Sequence, residues 1–326
     1  MYRRGSTIDG YESHVRVHLK PRIGNHRLDR LNVGDLVEMF DAIEEHNEQI
    51  LVENANRRAQ AARCKPAEPG RPIPAERARI AEERATLAEM KPLRKITGAS
   101  TRQRIRATLR AALNDAIAQR LITFDPASHV ELETGKRPKA LVWTEERVAQ
   151  WKRTGEKLSA VMVLTPQQTG AFLDRAAKHR LYAPYHLIAF RGLRRGEACG
   201  RQWTDTDLGA ALLTVATQLV QRGWKVEESA PRTDSGERVI ALDSETVKVL
   251  KAHRKRQLKE RLKWGEWGEA YVETGRVFTQ GNGEWPHPAW VTDQFQRLAP
   301  RRVCPRSGCT TCATAPRCSL SRPART

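Results

Sequence analysis

The spacing of the apolar residues changes once along the 326-residue chain. As far as Pro126 they recur at helical intervals, with Leu36, Phe40 and Ile43 marking one buried stripe. From Thr165–Gln168, which has the form of a helix capping box, helical segments give way to stretches rich in β-branched residues. We therefore predict a mainly α fold with a small antiparallel β-sheet, divided between two domains.

The proposed domain boundaries follow from proline-rich and aperiodic stretches. Residues 1–126 are predicted to form a helical domain with an insertion at about 64–92, where four prolines precede a charged helix. Residues 127–163 have few periodic apolar positions and are predicted to be an interdomain linker. Residues 164–299 form the second domain. Residues 300–326 have no acidic or aromatic residue and are expected to form a disordered tail.

The charge balance points to a polyanionic partner. Lysine and arginine number 57 against 38 for aspartate and glutamate, so the net charge is +19. Nucleic acid is the partner that this excess favours, although charge alone leaves open a merely basic, solvated surface. No run of 18 apolar residues occurs, so we predict no membrane partner and a cytoplasmic protein that joins the nucleoid when it binds DNA.

One predicted helix, from Ser100 to about Ile122, carries a row of arginines. Arg102, Arg106 and Arg110 recur every four residues and so share one edge of the helix, with Arg104 beside them. Guanidinium groups in such a row suit the phosphates of a duplex backbone, and we predict that these four residues bind DNA. An ordinary solvated helix face is the alternative interpretation.

A family resemblance is carried by residues 187–203, which read LIAFRGLRRGEACGRQW. This segment resembles the first active-site box, T-G-L-R-x-G-E, of the tyrosine recombinases, which include the phage integrases. The motifs that follow also have the family's order: PRT at 231–233, RVIALDSET at 238–246 and RVFTQGNGEWPHPAWVTDQFQRLA at 276–299. The likeness extends over nearly all of residues 6–299.

The resemblance implies a helical, SAM-like core-binding domain followed by the tyrosine-recombinase catalytic domain. It also implies the function of a site-specific integrase of a mobile element, which cuts and rejoins DNA through a 3′-phosphotyrosine intermediate. The implied partner is double-stranded attachment-site DNA, on which the intact family acts as a homo-tetramer. Neither a metal nor another cofactor is implied.

Individual site residues follow by position. Arg194 matches the family's first catalytic arginine, and a guanidinium fork there can bind two non-bridging oxygens of the attacked phosphate. Glu197 is predicted to orient it, although an ordinary helix ion pair would look the same. Arg195 is a candidate DNA contact. Arg232 lies where the family has a lysine general acid; because arginine holds its proton too tightly for that role, Lys225 is a conceivable substitute.

The remaining catalytic residues of the family have no match after Ala299. These are a His-x-x-Arg box, a second His or Trp, and the nucleophilic tyrosine. The five tyrosines are all earlier, at positions 2, 11, 182, 185 and 271. The chain is therefore interpreted as a C-terminally truncated or frameshifted catalytic domain. Two hypotheses follow: a recombinase by descent, or a catalytically inactive DNA-binding remnant.

Two explanations compete for the cysteine-rich tail. Read one nucleotide out of frame, the codons of residues 309–314 can spell Leu-His-Asp-Leu-Arg-His, the missing box, so a frameshift is our hypothesis and the gene's nucleotide sequence tests it. The alternative is a zinc site formed by Cys304, Cys309, Cys312 and Cys318. Their spacing lacks two separated CxxC pairs, which disfavours zinc, and we predict no metal.

Overall fold

The computed structural model describes residues 5–66, 73–135, 137–156, 158–231, 236–266 and 270–299. The chain divides into two compact units, Met1–Arg137 and Pro138–Thr326. The predicted tail, residues 300–326, lies outside the described residues. The secondary structure is mainly helical with small antiparallel sheets, as the sequence predicts.

The described part of the first unit contains helices and connecting segments but no strands. Its helices are α1 (Gly5–His14), α2 (Lys20–Ile23), α3 (Val33–Arg63), α4 (Pro74–Glu89) and α5 (Ala99–Ala118), and a π-helical turn, Val15–Leu19, joins α1 to α2. Helix α3 begins at a capping box in which Asn32 and Asp35 bond each other's backbone N–H groups. The core lies between α3 and α5, where Leu36, Ile43 and Ile105 are buried.

The predicted insertion at about 64–92 contains α4, which packs against α3. Two buried asparagines of α3 attach the chain that returns from α4. Asn47 donates to the carbonyl of Thr97 at 3.0 Å and accepts from its N–H at 2.7 Å. Asn54 makes the same pair of bonds with Arg94, at 2.7 and 3.0 Å. Asn47 and Asn54 thus fix the path of the segment that joins α4 to α5.

The predicted linker at 127–163 is not a tether. Residues 125–133 return along α5, and Ala127 and Val130 are buried in the core of the first unit. Further on, Trp143 is almost fully buried in the second unit, between short elements of regular structure. The prediction failed because these few apolar positions follow no helical or strand period, although each contacts a core.

The second unit combines six helices with seven short strands in its described part. The helices are α6 (Glu145–Thr154), α7 (Pro166–Ala176), α8 (Tyr182–Arg191), α9 (Arg195–Cys199), α10 (Ser244–Glu266) and α11 (Pro288–Leu298). The strands are β1 (Leu141–Val142), β2 (Met162–Val163), β3 (Thr206–Asp207), β4 (Leu212–Val215), β5 (Gln218–Arg222), β6 (Lys225–Ser229) and β7 (Arg238–Ala241). The capping box predicted at Thr165 and Gln168 is confirmed, with reciprocal bonds of 3.1 and 3.0 Å.

The strands form three separate pairings. Strands β3, β4 and β7 make an antiparallel sheet, β5 and β6 make a hairpin, and β1 pairs with β2 in parallel. The β-rich stretch of residues 212–220 is divided in the structure between β4 and β5, which belong to different sheets. Within residues 276–279, Arg276 forms an isolated bridge with Gln202.

Close packing of α9 on β5 depends on two glycines. A Cβ atom on Gly196 would lie 2.7 Å from the carbonyl oxygen of Leu219, and one on Gly200 would lie 2.7 Å from the Cα atom of Gln218. Real Cβ atoms do not approach backbone atoms this closely. The glycines therefore set the distance between this helix and the hairpin.

We predict that Gly200→Ala lowers the stability of the second unit by about 1–3 kcal/mol, because the added methyl group meets backbone that cannot move independently. The control is Gly170→Ala within α7, where nothing lies within 4 Å of the added Cβ. That change should be neutral or stabilising by up to about 1 kcal/mol. Thermal unfolding of both variants tests the prediction; equal melting temperatures would contradict it.

Candidate functional site

The candidate site is built around Glu197, whose side chain is almost fully buried at the start of α9. Arg194 precedes the helix as its N-cap residue, and its backbone N–H donates to Glu197 Oε2 at 2.9 Å. The Arg194 guanidinium donates through one terminal nitrogen to Glu197 Oε1 at 2.8 Å. Its side chain nevertheless stays 66% exposed. Residue 194 therefore presents a fixed guanidinium to solvent.

A second arginine, Arg238 at the start of β7, completes the cluster. It donates to both carboxylate oxygens of Glu197, at 2.8 and 3.2 Å, and to the carbonyl of Gly236 at 3.1 Å. Its side chain is about half as exposed as that of Arg194, at 31%. Two guanidinium groups thus share one carboxylate, which leaves the cluster with a net positive charge beside solvent.

The carboxyl group of Glu197 is held in its ionised form. Burial alone raises its pKa, but hydrogen bonds from Arg238 and Arg194 outweigh that effect, and the pKa lies below the ordinary value of 4.5. A permanently charged acceptor keeps both guanidinium groups in place at neutral pH.

Sequence reasoning missed Arg238. The motif that contains it was noticed, but nothing nearby in the sequence links Arg238 to a residue 41 positions earlier. Only the pairing of β7 with β4, in a register that sets Arg238 opposite Val215, shows how its strand is placed.

The other predicted residues of the second unit have different surroundings. Arg195 is partly buried and donates to the hydroxyl of Thr292 on α11 at 2.7 Å. Lys225 is exposed at the first position of β6. Arg232 lies outside the described residues, so its predicted role stays a prediction.

The arginine row of α5 has a structural role that the sequence pattern did not reveal. Arg102 is only 7% exposed and its guanidinium pairs with Glu44. Arg106 donates to the carbonyl of Val130, and Arg110 lies 3.6 Å from Asp125. Arg106 and Arg110 therefore anchor residues 125–133 against α5, and Arg102 joins α5 to α3. The burial of Arg102 argues against the prediction that it contacts a phosphate.

Arg104, by contrast, is exposed on the neighbouring edge of α5. Of the four predicted arginines of this helix, Arg104 and Arg110 are the two whose side chains are exposed. They remain the candidates for a DNA contact in the first unit.

Among the described residues, no three histidine, cysteine or acidic side chains are grouped as metal ligands would be. The four tail cysteines of the zinc hypothesis lie outside the described residues. None of the helices in the described ranges is both long and apolar enough to span a membrane.

Comparison with known proteins gives one match among curated sequences. A "Tyrosine recombinase XerC-like" protein of Caldanaerobacter subterraneus subsp. tengcongensis is 37% identical over an alignment of 136 residues that covers 39% of this chain and 35% of the relative. The match therefore spans about a third of the relative's length. No family model matches the chain.

Solved structures of the Tn1549 transposon integrase share the fold. In complex with transposon right end DNA, that integrase aligns with a TM-score of 0.53 and 19% identity, over 91% of this chain and 72% of the other. In complex with a circular intermediate DNA, it aligns with a TM-score of 0.51 and 18% identity, over 95% and 79%. Part of the chain is thus similar in sequence to a tyrosine recombinase, and its fold is similar to that of a transposon integrase.

Proposed function

We propose that the chain binds duplex DNA as part of a site-specific recombinase and uses Arg194 to hold the phosphate at which strands are exchanged. The observation that carries this proposal is the cluster of Arg194 and Arg238 on the single carboxylate of Glu197. Its unneutralised positive charge is exposed at Arg194, where a phosphate can approach. The likeness to integrases solved in complex with DNA supports the same partner.

The geometry suits a phosphate in the transition state. Attack on a phosphodiester increases the negative charge on its non-bridging oxygens, and a guanidinium that is already oriented stabilises that charge without reorganising. Glu197 occupies one terminal nitrogen of Arg194 and its backbone N–H. The remaining N–H groups of that guanidinium are left for the ligand.

Arg238 acts as a positioning residue in this proposal. Both of its terminal nitrogens donate to Glu197, so it holds the carboxylate in place. On double-stranded attachment-site DNA we propose a homo-tetramer, by analogy with the family. Exchange through a covalent tyrosyl phosphate conserves the energy of the phosphodiester, and the proposal requires neither a metal nor a nucleotide.

A second candidate function is DNA binding without strand cleavage. The surroundings of Tyr182 and Tyr185 favour it. Tyr185 is buried, its hydroxyl donates to the carbonyl of Val291 at 2.9 Å, and burial raises its pKa well above the ordinary value. Burial, followed by Glu245 and Asp174, also raises the pKa of Tyr182. The buried, hydrogen-bonded hydroxyl of Tyr185 is therefore not available to attack a phosphate.

We predict that the 326-residue chain binds duplex DNA but forms no covalent adduct. A nicked suicide substrate, incubated with the chain and analysed in detergent, should show no protein-bound strand. Fluorescence anisotropy should show affinity that falls about 10³-fold or more between 50 and 200 mM salt if six or more phosphates are neutralised. A detergent-stable adduct would exclude the second candidate function, and failure to bind DNA would contradict both.

We predict that Arg194→Ala weakens DNA binding about tenfold, or about 1.4 kcal/mol, and reduces the salt slope by about one, because one phosphate contact is lost. Arg153→Ala removes the same charge from an exposed position on α6 and serves as the control. Anisotropy titrations at several salt concentrations measure both effects. Equal losses in the two variants would mean that only net charge matters.

We predict that Glu197→Gln lowers stability by about 2 kcal/mol at pH 7, because two guanidinium groups lose their charged acceptor. The folded-state pKa of Glu197 lies below 4.5, so its contribution is complete above that pH and is lost as the pH falls through the folded-state value. The melting temperatures of wild type and variant should therefore converge in acid. Glu156→Gln, at an exposed position, should show no such pH-dependent difference.

A further inference from the structure

Helix α10 presents a row of lysine and leucine side chains to solvent. Its five members are spaced alternately three and four residues apart, which puts them on the same side of the helix: Lys248, Lys251, Lys255, Leu258 and Leu262. All five are exposed, and the two leucines are 52% and 67% exposed. This lysine stripe contains no acidic residue and is about 21 Å long.

The opposite side of α10 is fixed in the second unit. Leu250 and His253 are buried there, and Nε2 of His253 donates to the carbonyl of Val277 at 2.6 Å. Gln257 donates to the carbonyl of Arg276 at 2.9 Å. The lysine stripe therefore has a set orientation and faces away from the core to which α10 is attached.

Helix α3 carries a stripe of the same spacing and the opposite charge. Its exposed members are again three and four residues apart: Glu38, Asp41, Glu45, Glu48 and Val52. Val52 is 60% exposed, whereas Leu36 and Ile43 on the other side of the helix are buried in the core of the first unit. We call this set the acidic stripe.

The two stripes match when the helices are aligned in parallel. A register that starts with Lys248 brings three lysines opposite three carboxylates: Lys248 and Glu38, Lys251 and Asp41, Lys255 and Glu45. The same register sets Leu262 opposite Val52. Glu48 falls opposite Leu258, beside the exposed Lys259. Alternating spacings of three and four are those along which two helices pack lengthwise.

The acidic stripe is not suited to a DNA surface, since a row of carboxylates repels phosphates. Helix α3 has no lysine or arginine before Arg57 that would neutralise it. Within the described ranges, neither Asp41 nor Glu45 has an ion-pair partner, and the same holds for Lys251 and Lys255. The leucines of the lysine stripe favour a protein partner over DNA, because phosphates would leave them facing charged oxygens.

We propose that the lysine stripe of one copy of the chain binds the acidic stripe of a second copy, independently of DNA. Each copy offers one stripe of each charge, so the contact is head-to-tail and either closes a ring or extends a row of copies. Two helices in contact over about four turns bury little surface, so we expect weak association that salt reduces. This inference goes beyond the proposed function, which requires neither stripe.

The test is sedimentation velocity of the full chain, freed of nucleic acid, from about 5 to about 200 μM, the range in which a small transient interface associates. In about 0.1 M salt the sedimentation coefficient should rise with protein concentration. In about 1 M salt the rise should be largely lost, because the Debye length falls from about 10 to about 3 Å. Association through apolar surface alone would not weaken with salt in this way.

Charge reversal identifies the two surfaces. The double variants Lys251→Glu/Lys255→Glu and Asp41→Lys/Glu45→Lys should each weaken association about tenfold or more, because like charges then face each other. The matched controls reverse two exposed charges elsewhere: Lys152→Glu with Arg153→Glu on α6, and Glu82→Lys with Glu89→Lys on α4. They should associate as the wild type does, and all four variants should keep its melting temperature.

Mixing the two stripe variants tests whether the stripes bind each other. Neither variant alone can pair its own stripes, but the reversed α3 of one complements the reversed α10 of the other. The mixture should therefore recover the concentration-dependent association of the wild type, whereas a mixture of either variant with a control should recover it only in part.

Four results would overturn the inference. A wild type that sediments as one species at every concentration would show that the stripes do not join copies. Association that persists in both stripe variants would place the contact elsewhere, and loss without recovery on mixing would show that the stripes do not bind each other. If the lysine-stripe variant loses duplex affinity in anisotropy beyond its α6 control but still self-associates, the lysine stripe contacts DNA instead. Failure of the wild type to bind a duplex would contradict the proposed function alone.

Discussion

The carboxylate of Glu197 connects the fold of the second unit to its proposed chemistry. It accepts hydrogen bonds from the residue that caps α9 and from the residue that begins β7, so one buried charge joins a helix start to a sheet. A buried carboxylate without partners would be costly, and two guanidinium groups satisfy it. Because two guanidinium groups share one carboxylate, the interaction that stabilises the fold also leaves a net positive charge at the surface.

Arginines with similar local patterns have opposite surroundings in this protein. The evenly spaced row on α5 looks like a phosphate-binding edge in the sequence, yet Arg102 is buried against Glu44 and Arg106 donates to the backbone of Val130. Arg194 belongs to no row, but it keeps most of its side chain in solvent. Long-range partners decide these roles, and helical periodicity carries no information about them.

Features that depend on neighbouring residues could be predicted from the sequence. The capping box at Thr165 and Gln168 and the pairing of Arg194 with Glu197 involve residues three apart, and both are present in the structure. The role of Arg238 could not be predicted, because its partner is 41 residues away. The split between β4 and β5 could not be seen in the sequence, because residues 212–220 contain no glycine or proline to mark a turn.

The prediction of an interdomain linker at residues 127–163 was wrong for a related reason. Ala127 and Val130 are buried because the chain returns along α5, a path set by contacts with distant residues rather than by local period. The family resemblance supplied what periodicity could not, since an ordered series of motifs reflects the whole fold. It located Arg194 and Glu197 but gave no indication of the partners of the α5 arginines.

The asparagine bonds on α3 have a consequence for how this fold can vary in length. Asn47 and Asn54 each hold both the N–H and the carbonyl of one returning residue, as a neighbouring strand would. Helix α3 and the segment that follows α4 therefore stay adjacent at two points, which lie about two helical turns apart along α3. We therefore expect that a change in length beyond Asn54 leaves Leu36, Phe40 and Ile43 of the core undisturbed.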